Sequence, residues 1–150
     1  MRGTVNIPST YVLLRRGNQL LFVLREHTGF MDGKYSLPAG HVERGESFSV
    51  AAIRETLEEV GVHVAAKDLK QVFTMQRFQS DDDVRIDVFF EARNWQGEPY
   101  NAEPERHAEA RWIDIAELSD EVMDYQLHAI KQILAGSTYD ELGWAIDKTD

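Results

Sequence analysis

The stretch GHVERGESFSVAAIRETLEEVGV, residues 40 to 62, decides the fold of this chain. It predicts a helix that Ser47 caps at the N-terminus and that Gly61 ends in a left-handed conformation. At about 100° per residue, four apolar residues share one arc of this helix and three glutamates fall opposite them. The apolar residues are Val50, Ile53, Leu57 and Val60, and the acidic residues are Glu55, Glu58 and Glu59. We therefore expect the apolar arc to pack on a core and the acidic arc to face solvent.

The three glutamates suggest a metal site. Like charges on one helix face oppose helix formation by a few tenths of a kcal/mol per pair, and a solvated acidic face is the ordinary alternative. However, the preceding loop, residues 33 to 45, is rich in glycine and contains the run LPAG at residues 37 to 40. Such a loop can approach closely and aim backbone carbonyls. Carboxylates and a carbonyl are the hard oxygen ligands that Mg²⁺ or Mn²⁺ prefers.

The spacing of these residues resembles the signature of the Nudix hydrolase family, in particular its MutT-like branch. The chain has the fixed residues of that signature at the family spacing, namely Gly40, Glu46, Arg54, Glu55, Glu58, Glu59, Gly61 and Val62. Thr56 stands where the family usually has an aliphatic residue, and we interpret it as tolerated because it is β-branched and similar in size to valine. The resemblance implies an α+β fold, an α/β/α sandwich with a mixed central sheet between helices, as one domain over residues 1–150.

The resemblance also implies roles for particular residues. Glu55 is the expected catalytic base, oriented by Arg54, with Glu58 also in the catalytic set. The expected metal ligands are Gly40 through its carbonyl, Glu55, Glu58, Glu59 and Glu103. The expected substrate-binding residues are Arg25 and His41, and Arg77 and Arg85 are weaker candidates for the pocket.

Several alternatives remain open at this point. Arg54 could pair only with Glu58 on its own helix, whereas Glu46 is expected to support the loop and the helix start. Glu105 competes with Glu103 as the loop ligand, and a solvated acidic loop is the alternative for both. Arg25 and His41 could equally be surface residues.

The length and composition of the chain exclude some kinds of chemistry and some binding partners. The chain of 150 residues is long enough for one domain with a real core, and it contains no cysteine, which excludes disulfides and thiol catalysis. A formal net charge of −10 argues against a general nucleic-acid surface. We find no apolar run of membrane-spanning length and no hydrophobic signal region in MRGTVNIPST. We expect a cytoplasmic monomer or homodimer that binds a small nucleotide, with no polymeric nucleic acid and no membrane as partner.

The rest of the chain predicts strands over residues 9–15, 19–25, 69–78, 84–92 and 110–114, and a helix over 121–135. Residues 27–36 and 94–107 are expected to form loops. Trp112, Phe78 and Tyr125 could stack on a nucleotide base, although a core role is favoured for each. Glu121 could face the pocket or lie in the first turn of the last helix, where the helix dipole favours an acidic residue.

The expected activity is hydrolysis of nucleoside triphosphates to a monophosphate and pyrophosphate, with Mg²⁺ or Mn²⁺ as cofactor. A nucleotide-sugar or ADP-ribose pyrophosphatase is the runner-up. A non-catalytic nucleotide-binding module is a third hypothesis. Such a module would normally have lost the Arg-Glu or the Glu-Glu pair, whereas both pairs are intact in this chain. The isomerase branch needs a cysteine that this chain lacks.

MutT-like guanine sensors often carry an asparagine where this chain has residues 118–121, LSDE, so we expect no strong preference for 8-oxo-dGTP.

Overall fold

The computed structural model describes residues 3–145. These described residues form eight strands and two α-helices, joined by loops and by two single 3₁₀ turns at Ala66–Asp68 and Ile115–Glu117. The elements are β1 (Ile7–Arg16), β2 (Gln19–Arg25), β3 (Tyr35–Ser36), β4 (Ala39–His41), α1 (Phe48–Val60), β5 (Lys70–Ser80), β6 (Asp83–Ala92), β7 (His107–Asp114), α2 (Asp124–Leu134) and β8 (Tyr139–Leu142). Neither α-helix is long and apolar enough to cross a membrane.

The strands form one mixed sheet. Its main path runs β3-β2-β1-β6-β5-β8, while β4 also pairs with β1 and β7 with β2. The β1–β6 and β5–β8 pairs are parallel and the others are antiparallel. The two short strands β3 and β4 bring the loop that contains Gly40 onto the sheet beside the helix that follows it.

The strand residues alternate between two cores, because successive side chains point to opposite faces of a sheet. On one face, Val12 and Leu14 of β1 pack in a cluster with Ala52 and Val60 of α1. On the other face, Tyr11 and Leu13 belong to a cluster that includes residues of α2. The sheet therefore lies between the two helices, and the predicted α/β/α sandwich is confirmed.

The predicted packing face of α1 is only partly correct. Val60 is buried, but Val50 and Leu57 are 52% and 49% exposed, whereas Glu59 is only 9% exposed. Beside Val60, the helix packs through small or short side chains, which are Ala51, Ala52 and Thr56, each fully buried. The Thr56 hydroxyl donates to the Ala52 carbonyl at 2.7 Å, so its polar atom is satisfied within the helix. Small residues let the helix approach the sheet closely, and this turns Glu55 and Glu59 toward the sheet, whereas Glu58 stays exposed.

The predicted helix ends are confirmed, but other boundaries differ. The Ser47 side chain accepts from the Val50 N–H, and Gly61 is left-handed with φ 71°. The last helix begins at Asp124, after the Met123 cap, so Glu121 lies in the turn before it and not in its first turn. Strand β8 falls in a stretch without a predicted strand, and β3 and β4 fall in predicted loops.

Candidate active site

The side chain of Glu55 contacts the segment that precedes its own helix. Gly40 lies in β4, which pairs with β1, and the Glu55 carboxylate lies against the Gly40 α-carbon so closely that a β-carbon would have no room there. Partial burial raises the pKa of the Glu55 carboxyl, and the hydrogen bond from Arg54 opposes this rise. Gly40, the first glycine of the signature, and Glu55, the glutamate of its Arg-Glu pair, are therefore in direct contact.

Arg54 connects most of the acidic groups around the start of the helix. Its guanidinium donates to Glu46 at 2.7 and 2.9 Å, to Glu55 at 2.8 Å and to Glu58 at 3.2 Å. It also donates to the His41 carbonyl at 3.2 Å. The hydrogen bonds from Arg54 lower the pKa of Glu46 to about 2. Arg54 therefore contacts Glu46 and Glu55 as well as Glu58, so it does not pair with Glu58 alone.

Glu59 is a buried carboxylate among other carboxylates. One of its oxygens accepts from the Ala39 N–H at 3.1 Å. Burial raises its pKa well above the usual value, and the charges of Glu55 and Glu103 add to this rise. A buried anion is costly unless it is paired or coordinates a metal. A divalent cation beside Glu59 would offset this cost, so the donor set fits such an ion.

The loop that carries Glu103 is tied to the end of α1. The Tyr100 and Ala102 N–H groups donate to the Val60 and Glu59 carbonyls at 3.1 and 3.0 Å. These bonds use carbonyls at the helix C-terminus that have no partner within the helix. They bring Glu103 beside Glu59, although more than 40 residues separate the two in sequence.

The side chains of Glu59, Glu103 and His107 form a compact group. One ligand atom from each lies within 4.8 Å of the other two, which is close enough to hold one metal ion. Neither Glu55 nor Glu58 belongs to this group. Glu105 is exposed and also lies outside it, so the geometry favours Glu103 over Glu105.

A cavity of about 460 Å³ opens beside the acidic residues. Glu55 and Glu59 line it together with Gly40. The cationic and imidazole side chains that also line it are Arg25, His41, Arg85, Arg106 and His107. The cavity therefore contains carboxylates suited to cations and arginines suited to anionic phosphates.

The predicted phosphate-binding residues lie at this cavity and are held by neighbours. Arg25 donates through Nε to the Phe30 carbonyl at 2.8 Å and through a terminal nitrogen to the Thr28 hydroxyl at 3.0 Å. The His41 ring lies 3.3 Å from the Arg85 guanidinium. Arg85 itself is paired with Asp83 at 2.7 Å.

The rest of the cavity wall is formed by polar and aromatic residues from β1, β3 and α2. Tyr11, Ser36, Tyr125 and Gln126 are among them. The Gln126 amide is fully engaged with backbone and side-chain groups, since its oxygen accepts from the Leu37 N–H at 2.8 Å and its nitrogen donates to the Ser36 hydroxyl at 3.0 Å. This end of the cavity is therefore preorganised.

Arg77 is buried behind that wall and does not line the main cavity. It donates to the fully buried Asp87 at 2.8 Å, and its guanidinium lies 3.7 Å from the Tyr125 ring centroid. The Tyr11 hydroxyl donates to the same Asp87 at 3.0 Å. Arg77 therefore supports the aromatic wall from behind instead of facing substrate.

The other aromatic candidates divide between core and cavity. Trp112 packs against the α1-side core and lies under the Arg16 guanidinium, 4.4 Å from ring centroid to guanidinium carbon. Phe78 packs against Trp144 with the two rings tilted by 43°, and it lies outside the main cavity, whereas Tyr125 lines the cavity. Glu121 is exposed and does not line the cavity.

Four residues of the cavity were not predicted from the sequence, namely His107, Arg106, Tyr11 and Gln126. His107 lies four residues after Glu103 and is the first residue of β7, and this spacing is a detectable signal for a second loop ligand. Tyr11 alternates with core residues along β1, so its position at the cavity depends on which face of the sheet the cavity occupies. That choice cannot be read from one strand.

Comparison with known proteins agrees with this geometry. The NUDIX domain family model matches residues 5–133. The NAD-capped RNA hydrolase NudC of Chromobacterium violaceum is 46% identical over 67 residues, which are 45% of this chain and 24% of that protein. The NudC of Stutzerimonas stutzeri is 34% identical over 111 residues, 74% of this chain and 37% of that protein. The matched regions thus span only about a quarter to two fifths of these relatives' length.

A MutT NUDIX hydrolase from Burkholderia pseudomallei has the same fold. Its crystal structure superposes with a TM-score of 0.76 at 21% identity and covers 85% of this chain and 98% of that one. The chain therefore belongs to the NUDIX domain family.

Proposed function

We propose that this chain is a divalent-metal-dependent pyrophosphohydrolase that cleaves a phosphoanhydride of nucleoside triphosphates, releasing the monophosphate and pyrophosphate. The observation that carries the proposal is one cavity that is lined both by carboxylates and by arginines. A phosphate chain bound there would lie near both kinds of side chain. The cavity volume of about 460 Å³ lies within the range for small-molecule sites, about 300–1,000 Å³.

We assign metal binding to Glu55, Glu58, Glu59, Glu103 and the Gly40 carbonyl. A bound divalent ion supplies charge neutralisation and lowers the pKa of water. Glu59 and Glu103 would hold such an ion most directly, because their carboxylates already lie together. Glu58 is half-exposed and paired with Arg54, so it would reach the metal region from the solvent side.

We assign the role of general base to Glu55. Arg54 holds its carboxylate at 2.8 Å, which fixes its orientation. Partial burial raises the Glu55 pKa, and a base works best when its pKa lies near the working pH. Arg54 acts here as a positioning residue that also keeps Glu46 and Glu58 in place.

Arg25 and His41 are proposed to bind the substrate phosphates. Both line the cavity, and the hydrogen bonds of Arg25 to Phe30 and Thr28 limit its motion. A preorganised cation such as Arg25 stabilises charge without reorganisation during the reaction.

A second candidate is hydrolysis of a diphosphate that links two groups, as in NAD, ADP-ribose or nucleotide sugars. The NudC relatives favour it, since they are NAD-capped RNA hydrolases. The same site would cleave the central anhydride and release two monophosphates. We propose a small nucleotide as substrate instead of polymeric RNA, because the formal net charge of −10 opposes a polyanion.

A substrate screen separates these candidates. The protein is incubated with Mg²⁺ or Mn²⁺ and with nucleoside triphosphates, NAD, ADP-ribose and nucleotide sugars, and the products are resolved by chromatography. We expect monophosphate with pyrophosphate from triphosphates. Two monophosphates from NAD or ADP-ribose, with triphosphates intact, would favour the second candidate. No product from any substrate, with Glu59→Gln as the inactive control, would contradict both.

The same screen tests base selectivity. We expect kcat/KM for 8-oxo-dGTP to exceed that for dGTP by less than a hundredfold, since Gln126 is engaged within the protein and Glu121 lies outside the cavity. A hundredfold preference corresponds to about 2.7 kcal/mol of differential transition-state binding. A larger preference would show that another residue reads the altered base.

A further inference from the structure

His107 carries a buried nitrogen without a partner. The residue is 3% exposed, and among the described residues its Nδ1 makes no hydrogen bond. Most buried side-chain polar atoms in proteins have a partner, so this one requires an explanation. One of its ring nitrogens belongs to the compact group with Glu59 and Glu103.

The backbone fixes His107 beside Glu103. The His107 N–H donates to the Glu103 carbonyl at 3.0 Å, which closes a turn over residues 103–107. The Asn101 side chain secures both ends of this turn, because its oxygen accepts from the Glu103 N–H at 3.2 Å and its nitrogen donates to the His107 carbonyl at 2.8 Å. The pair is thus held in a fixed geometry before any ligand binds.

The distances within the group suit coordination and not direct pairing. The three ligand atoms lie within 4.8 Å of one another, yet no side-chain hydrogen bond between His107 and either glutamate is formed in the described structure. Ligands about 2.0–2.2 Å from a common ion lie at most about 4.4 Å apart, so the group is at most a few tenths of an ångström wider than a coordinated set. Two carboxylates and an imidazole therefore face one small space.

We propose that His107 is a nitrogen ligand of a divalent ion held with Glu59 and Glu103, and that it makes this site prefer first-row transition ions to Mg²⁺. Imidazole suits such ions, whereas Mg²⁺ is bound by oxygen ligands. The inference rests on the proposed metal-dependent function and adds a ligand and a metal preference to it. It predicts that Mn²⁺ or Co²⁺ binds more tightly than Mg²⁺.

Pulsed electron paramagnetic resonance of bound Mn²⁺ tests the ligand directly and needs no turnover. We expect a nitrogen coupling in the wild-type spectrum that changes when the protein is made with ¹⁵N-labelled histidine. His107→Phe, which keeps an apolar ring in the buried position, should lose this coupling. His63→Gln, a change at an exposed histidine outside the cavity, should retain it.

Calorimetric titration supplies the second readout. His107→Phe should weaken Mn²⁺ binding by about tenfold or more. Loss of a residue that only supports a metal ligand already weakens metal binding by about this factor, so loss of a ligand should weaken it at least as much. Its effect on Mg²⁺ should be smaller. Bound Mn²⁺ without nitrogen coupling in the labelled wild-type protein would overturn the proposal while leaving the proposed hydrolase function intact, and this readout stands even if His107→Phe does not fold.

Discussion

The Glu55 carboxylate occupies the space in which a side chain at Gly40 would lie, since a β-carbon built on residue 40 falls 2.1 Å from Glu55 Oε1. No left-handed backbone conformation requires glycine at this position. The absence of a side chain at residue 40 instead allows the carboxylate and the loop carbonyl to approach the same point.

We expect Gly40→Ala to fold normally but to lose about a hundredfold in activity, since a small misplacement of a catalytic group has that effect. The atom that must move is the end of a flexible side chain. The loss of stability should stay below about 1 kcal/mol, or about 2–4 °C in Tm. Thermal melting and kcat measure the two effects.

Gly3→Ala is the matched control, because its β-carbon meets no atom within 4 Å and its backbone is also not left-handed. It should change neither quantity. A Gly40→Ala protein with wild-type kcat would show that the contact between Gly40 and Glu55 has no catalytic role.

Glu59→Gln should stabilise the metal-free protein at neutral pH. Burial raises the folded-state pKa of Glu59 above the reference value of 4.5, so the wild-type protein loses stability as pH rises from that value through the folded pKa. Glutamine keeps an acceptor for the Ala39 N–H and removes the buried charge. We expect a gain of about 1–3 kcal/mol above the folded pKa and a smaller gain near pH 4.5.

Melting curves in chelator, recorded at several pH values, measure this gain. Glu58→Gln is the control, since the Glu58 side chain is 50% exposed and its charge is solvated. Equal gains in stability for Glu59→Gln at low and high pH, or a net loss of stability at high pH, would show that the buried charge of Glu59 does not destabilise the fold.

Glu103→Gln and Glu105→Gln should differ sharply in activity. Glu103 lies with Glu59 and His107 in the compact group, whereas Glu105 is exposed outside it. We expect Glu103→Gln to lower kcat/KM by about tenfold to a hundredfold or more and Glu105→Gln to change it little. The opposite order would move the loop ligand by two residues. Circular dichroism of both variants checks that the fold is intact.

The signature predicted the helix ends and the contact region around Gly40 because both depend on local spacing. It did not predict which face of α1 is buried. Counting large apolar residues favours Val50 and Leu57, but the sheet selects the small residues Ala52 and Thr56, since only these allow close approach. Tertiary packing, and not the periodicity of large apolar residues, therefore determines which face of α1 is buried.

Contacts between distant parts of the chain explain the remaining differences. Strand β8 is only four residues long and forms by parallel pairing with β5, more than 60 residues earlier in sequence. The position of His107 depends on hydrogen bonds from residues 100–102 to the end of α1. Neither arrangement leaves a periodic pattern that could be recognised along the chain.

Removal of the metal tests the central claim most directly. The purified protein is treated with chelator, dialysed and assayed on a nucleotide that it hydrolyses, before and after addition of Mg²⁺ or Mn²⁺. We predict that turnover is lost without metal and restored with it, and that metal at a hundredfold excess over its Kd stabilises the fold by about 2.7 kcal/mol. Full turnover by the metal-free protein would contradict the account.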